Sequence, residues 1–231
     1  MQDSVFTRIQ SLPLFQGVSR DDLLRMLERA RFNFVSAEAG ELIAEQGKSA
    51  SQLIYALSGT FQLTRKVSEA FRISETLDAP FLFQPESLFA QSLTWRHTLQ
   101  VTTEAQLLSI AKHEVVSHLM DFYTFRISML CYLSRLAERA QTDARIINRL
   151  SSPVEALILF LSKHTLTPTG SKTFHIGMTH LSRCLSTSRL SVSKCLNELQ
   201  REGFLYLNRK TITVPKFELL QAKLEAMTTV I

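Results

Sequence analysis

Between Lys112 and Leu150 the chain has neither glycine nor proline, and this limits the available folds more than any other feature. The two strongest helix breakers are missing there. Leu119, Phe122, Tyr123, Ile127, Leu130, Leu133, Leu136, Ala137 and Ile147 instead form a wide apolar stripe. A helix over 112–150 exposes more apolar surface than one small domain can cover. Its length favours packing against a twin helix in a homodimer; a long core helix of the monomer is the alternative. Ser151-Ser152-Pro153 ends the stretch, marks a hinge and caps a new helix beginning with Val154–Leu161. His164–Phe174 then reads as a linker.

The texture before Lys112 is different. Residues 3–31 read as helical, with Ser19 a good N-cap ahead of Asp21, Asp22, Leu23, Leu24 and Leu27. From Phe32 to about Ile110, short apolar runs (FNFV, LIYALSG, FQLTRK, FRISETL, TLQVTTE, AQLLSIA) alternate with turns, and Gly40, Gly47 and Gly59 punctuate them. Such spacing predicts an all-β sandwich or barrel. The exception is Pro85–Leu93, which reads as a short helix with proline in its first turn.

The last third carries the charge. Residues 1–151 hold 16 Lys+Arg and 16 Asp+Glu, whereas 152–231 hold 10 against 5. A neutral body with a basic tail domain points to a polyanionic partner. The local pattern agrees. Thr179–Leu185 forms a first short helix, with Ser182 small where two helices must approach. Ser186-Thr187-Ser188 is a polar turn, and Ser188 caps a second helix over Arg189–Glu202. Val192, Leu196 and Leu199 face inward. Arg189, Ser191, Ser193, Lys194 and Asn197 face outward, as donors suited to phosphates and base edges in a major groove. Gly203 closes the helix, and FLYLNRKTITV folds back as a hairpin turning at Asn208-Arg209-Lys210. This predicts a winged helix-turn-helix; an ordinary helical pair with a solvated face is the alternative.

Three blocks then resemble the Crp-Fnr family, the cyclic-AMP receptor protein and its relatives. LPLFQGVSRDDLLRML, FVSAEAGELIAEQG and LIYALSGTFQL together resemble the opening of that family's β-roll. The stretch after it resembles the family's dimer helix. TSRLSVSKCLNELQREGFLYLNRKTITV, the most specific block, resembles its recognition helix and wing. The resemblance covers nearly the whole chain. It implies an α+β architecture: a β-roll sensor domain over 1–111 (cyclic-nucleotide-binding-domain-like, a double-stranded β-helix or jelly roll), a dimerisation helix over 112–150 and a winged helix-turn-helix over 151–231. It also implies a homodimer on a palindromic stretch of double-stranded DNA, RNA polymerase as a partner and an unidentified small-molecule effector. Arg189, Leu190 and Lys194 stand where the family reads bases. Ser191 lies on the same face, and Thr179, Ser188 and Lys210 are expected at the phosphate backbone. Leu190 departs from the acidic residue common there and can make only apolar contact, for instance with a thymine methyl.

For an effector, the family's cyclic-nucleotide cassette is the pattern to compare. There a Glu holds the ribose, an Arg ten residues on neutralises the phosphate, and backbone N–H groups at a short helix cradle it. Glu86 and Arg96 keep that spacing. Pro85 stands for the glycine and has no N–H, and His97 stands for the small hydroxyl residue, with Thr98 one further on. Thr142 falls where the dimer helix would meet the base. A cyclic nucleotide, another small ligand or a plain Glu86–Arg96 salt bridge remain the alternatives. No cysteine precedes Cys131, so an iron–sulfur centre of the Fnr type lacks its ligands. No metal site is predicted. His97, His113 and His118 could ligate haem by identity alone, and Cys184 and Cys195 read as packing residues. No histidine falls in Phe32–Thr76, and no Gly-x-Ser-x-Gly or phosphate-binding glycine loop occurs, which argues against an enzyme. A regulatory module acting on protein partners without DNA is the competing function. The N-terminus lacks the apolar core of a signal peptide and no stretch is long enough to span a bilayer, so a cytoplasmic protein without membrane contact is expected.

Overall fold

The computed structural model of the chain describes residues 2–147 and 152–229. Its elements run α1 (Gln2–Gln10), α2 (Arg20–Arg29), β1 (Asn33–Ala37), β2 (Leu42–Ala44), β3 (Gln52–Ser58), β4 (Thr60–Ser68), β5 (Phe71–Asp78), β6 (Phe81–Phe83), β7 (Thr98–Val101), β8 (Ala105–Ala111), α3 (Lys112–Ser117), α4 (Tyr123–Ile147), α5 (Pro153–Lys163), β9 (Lys172–Ile176), α6 (Met178–Cys184), α7 (Arg189–Arg201), β10 (Tyr206–Asn208), β11 (Thr211–Val214) and α8 (Phe217–Thr229). The chain forms two compact units, residues 1–61 with 78–138 and residues 62–77 with 139–231.

The first unit is a β-roll with helices. Strands β1, β8, β3 and β6 lie side by side in that order, all antiparallel, and β2 pairs with β7. Leu53 and Tyr55 of β3 meet Leu108 and Ile110 of β8 in the core, joined by Phe15, Leu23 and Met26 from the N-terminal segment and Phe125 and Met129 from α4. Tyr55 is fully buried and donates its hydroxyl to Pro13 O at 2.8 Å; burial pushes that hydroxyl's pKa well above its usual value. Ser19 caps α2 by accepting from Asp22 N, as its sequence position predicts. Gly59 turns β3 into β4 at φ +98°, where a Cβ would lie 2.7 Å from Ala105 Cβ, so no other residue fits without a shift.

The second unit is built on one sheet, in the order β10-β11-β9-β5, with β4 hairpinned to β5. On β5, Phe71, Ile73, Glu75 and Leu77 are buried and their neighbours are not. That alternation presses one face against α5 and α7, where Leu157, Ile158, Leu161, Leu196 and Leu199 complete the core. Ser152 caps α5 by accepting from Glu155 N at 3.2 Å.

Three local expectations differ from the structure. The stretch from Lys112 is broken rather than continuous. α3 ends at Ser117, a 3-10 turn spans Leu119–Asp121 and α4 starts at Tyr123, while residues 148–150 lie outside the described ones. Leu119 inside the break and Phe125 just after it are both fully buried, and lack of a helix breaker does not outweigh two such anchors. The helix at Pro85 is a single 3-10 turn, Pro85–Leu88, behind Gln84 at φ +38°. The supposed linker 164–174 carries the start of β9. Beyond Val214, α8 buries Phe217, Leu220 and Leu224.

Candidate nucleic-acid interface

The two helices after β9 have the geometry that the local chemistry requires. Ser182 is buried on α6 and turns its hydroxyl back to Thr179 O at 3.1 Å, leaving room for α7. The turn passes through Ser186 at φ +49°, and the Ser188 hydroxyl accepts from Ser191 N at 3.0 Å to start α7. Val192, Cys195, Leu196 and Leu199 are buried, and burial raises the Cys195 thiol pKa. Gly203 follows the C-cap at φ +82°. β10 and β11 then pair with Asn208 opposite Thr211, leaving Arg209 and Lys210 at the tip. Gln200 of α7 accepts from Leu207 N at 3.0 Å, and Ile176 N donates to Lys210 O at 2.9 Å, so the tip is tied to both α7 and β9.

Thr179, Ser188, Arg189, Leu190, Lys194 and Lys210 are exposed, and Ser191 on the same helix is half-buried. Leu190 is 66% exposed, which leaves a large apolar side chain in water at a cost that a partner surface would recover. Thr179, Arg189 and Lys210 share one open groove of about 820 Å³. The same groove takes in Arg209, Lys66 and Arg72, which sequence reasoning did not place there. Arg209 had a weak signal as part of a basic hairpin turn. Lys66 and Arg72 had none, because they come from the stretch read as β-roll.

The sensor-site residues are also brought together, but around one another. Arg96 Nη2 lies 2.9 Å from Glu86 Oε1. The buried Gln84 accepts from Arg96 N at 3.2 Å, and its amide nitrogen lies 2.5 Å from Nδ1 of the buried His97. Thr98 accepts from Gln46 N at 3.0 Å. A cyclic phosphate would have to displace these pairings, and Pro85 offers it no N–H. Thr142 belongs to α4, and its side chain lies outside the described residues. Among the described residues no three His, Cys, Asp or Glu gather as a metal site, and no helix is long and apolar enough to cross a membrane.

On α4, Phe125 and Met129 face the β-roll core. Tyr123, Ile127 and Leu130, spaced by four and three residues, form a second, exposed apolar row, with Tyr123 70% and Leu130 55% exposed.

A β-roll with helices and a winged helix-turn-helix give this chain a fold that solved Crp/Fnr-type structures share. The catabolite activator protein of Thermus thermophilus is similar over 93% of this chain and 99% of its own, with a TM-score of 0.51 and 22% identity. A transcriptional regulator of the Crp/Fnr family from Eubacterium rectale, described as putative, is similar over 93% and 98%, with a TM-score of 0.51 and 15% identity. No protein-family model matches the chain, and no curated protein matches it significantly.

Proposed function

We propose that this chain is a DNA-binding transcription regulator that acts as a homodimer on a palindromic operator and responds to a signal in its β-roll. The observation that carries the reading is the exposed face of α7, where Arg189, Leu190 and Lys194 stand beside a wing tip of Arg209 and Lys210. Donors in that arrangement suit base edges on the helix and phosphates at the wing. The exposed row Tyr123, Ile127 and Leu130 supports the dimer, because a twin helix would cover it. By role, 1–111 is the sensor, 112–150 the dimerisation segment and 151–231 the DNA reader. A shift of the paired helices would change the spacing of the two reading heads, a population shift between competent and incompetent dimers. RNA polymerase and a small-molecule effector belong to the same proposal, as does a cytoplasmic location beside the chromosome. The chain performs no catalysis in this reading.

The test is duplex binding across a salt series. Arg189→Ala is expected to weaken operator binding by about 1–3 kcal/mol and relax preference at one base pair, and Lys210→Ala to weaken all sequences alike and lower the salt slope by about 1. A wild-type protein without salt-dependent duplex binding would sink the reading in favour of a module acting only on protein partners.

A further inference from the structure

The hairpin β4–β5 is held inside the unit that carries the helix-turn-helix. β5 pairs with β9 over five residues, from Phe71 opposite Ile176 to Glu75 opposite Lys172. The last pair is a buried ion pair, 1% and 0% exposed, with Lys172 Nζ 2.5 Å from Glu75 Oε2. Glu75 also accepts from Leu166 N at 2.8 Å and from the backbone N–H and hydroxyl of Thr167, both at 3.4 Å. The hairpin's position is therefore fixed by a strand ladder and a satisfied buried charge.

The other end of this hairpin forms one wall of the groove at the start of α7. Lys66 and Arg72 of the hairpin face the same space as Arg189, Arg209 and Lys210. The groove's lone carboxylate is Glu69, at the hairpin tip, which pairs with Lys66; that hydrogen bond and charge lower the Glu69 pKa. Arg72, Arg189, Arg209 and Lys210 have no carboxylate within ion-pair distance among the described residues. Five cations against one exposed carboxylate leave the groove net positive, which favours an anion among them. One wall is the first residue of α7 and another is the wing tip, and a nucleic-acid backbone is an anion long enough to reach all three walls.

We propose that the β4–β5 hairpin tip, through Arg72 and Lys66, is a third DNA-contacting element, holding backbone phosphates beside those held by the reading helix and the wing. The inference rests on the DNA-binding reading above. It assigns a direct role on DNA to a hairpin whose place in the sequence marks it as sensor. It also makes affinity depend on the docking of that hairpin.

The experiment uses the full-length protein and a fluorescent mixed-sequence duplex of about three helical turns, with affinity read by anisotropy over a sodium chloride series. In the double variant K66Q/R72Q both changes are on side chains that line the open groove, and circular dichroism checks that the fold is kept. Each phosphate that is no longer neutralised should flatten the slope of log affinity against log salt by about 0.9 and weaken binding about fivefold at roughly 0.15 M. The double variant should thus drop about 1.8 in slope and bind about thirtyfold more weakly per half-site. Glu69→Gln, which removes the groove's carboxylate, should tighten binding. Unchanged slope and affinity in K66Q/R72Q, with R189A still impaired, would overturn the hairpin's role and leave the DNA reading standing. No salt-dependent binding by the wild type would remove both. Calorimetric binding of inorganic phosphate that K66Q/R72Q abolishes, with duplex binding intact, would make the groove a small-anion site and overturn the proposal.

Discussion

Replacing one partner of the Glu75–Lys172 pair should cost far more than replacing both. Both groups are fully buried and directly opposite on neighbouring strands, so removing one leaves an uncompensated charge in the core. The two single variants differ in what they leave behind. Lys172→Met leaves Glu75 with the Leu166 N–H and the two Thr167 donors. Glu75→Met leaves Lys172 with the Thr167 hydroxyl, 2.5 Å away. An orphaned charge can also escape by neutralising. That escape has its own cost, so each single loss is expected in the range found for broken buried pairs. We therefore expect Lys172→Met to lose about 3 kcal/mol, Glu75→Met about 4 kcal/mol, and the double Met variant to stay within about 1 kcal/mol of wild type. Urea unfolding followed by far-ultraviolet circular dichroism and by tryptophan fluorescence measures this. The chain's one tryptophan, Trp95, is buried in the β-roll unit and does not report the unit that holds the pair. The destabilised transition should appear by circular dichroism ahead of the fluorescence change. Single variants that each lose less than about 1 kcal/mol, or a double variant as unstable as Glu75→Met, would refute the argument.

Three further outcomes follow from the geometry. Leu130→Asp should convert the proposed dimer to monomer in sedimentation without unfolding it, since the side chain is exposed within the protomer; a dimer that survives places the interface elsewhere. Ser188→Ala should cost about 1 kcal/mol of stability by leaving the Ser191 N–H uncapped, and weaken duplex binding with it. His164, packed on Phe71 and Phe160, has its pKa lowered by burial. The unfolded chain therefore takes up that proton more readily, and stability should fall as pH drops below about 6.5. His164→Gln should flatten this part of the stability–pH curve; an unaltered curve would count against it.

Much of this was legible in the sequence because the signals were local. Ser19, Ser152 and Ser188 cap the helices their positions predict, since a cap depends on two or three neighbouring residues. The helix-turn-helix and wing follow from the spacing of Val192, Leu196 and Leu199 and from the turn at Arg209-Lys210. What was missed depends on distant partners. FRISETL alternates as a strand should, but alternation does not say which sheet receives it, and β5 finds β9. Lys172 looked like a linker residue because its carboxylate partner is 97 residues away. The break before Tyr123 is set by the burial of Leu119 and Phe125, which no count of helix breakers reveals. Glu86 and Arg96 kept a binding cassette's spacing, but spacing could not show Gln84 turned in to meet His97 and the Arg96 backbone.

The loan of residues 62–77 to the later unit has a consequence during synthesis. At about 5–20 residues per second, Lys172 leaves the ribosome roughly 5–20 seconds after Glu75, and until then β5 has no partner on the side that β9 will occupy. A strand whose inward row is Phe71, Ile73, Glu75 and Leu77 would be a sticky edge if that row were wholly apolar; the carboxylate in the middle makes wrong partners costly and the one strand with a facing lysine welcome. It also means that the unit carrying the helix-turn-helix is not a transplantable cassette. A fragment starting at residue 152 would carry a buried lysine with no counter-charge and a sheet missing a strand, so whatever acquires this helix-turn-helix unit by recombination must take the front of the gene with it.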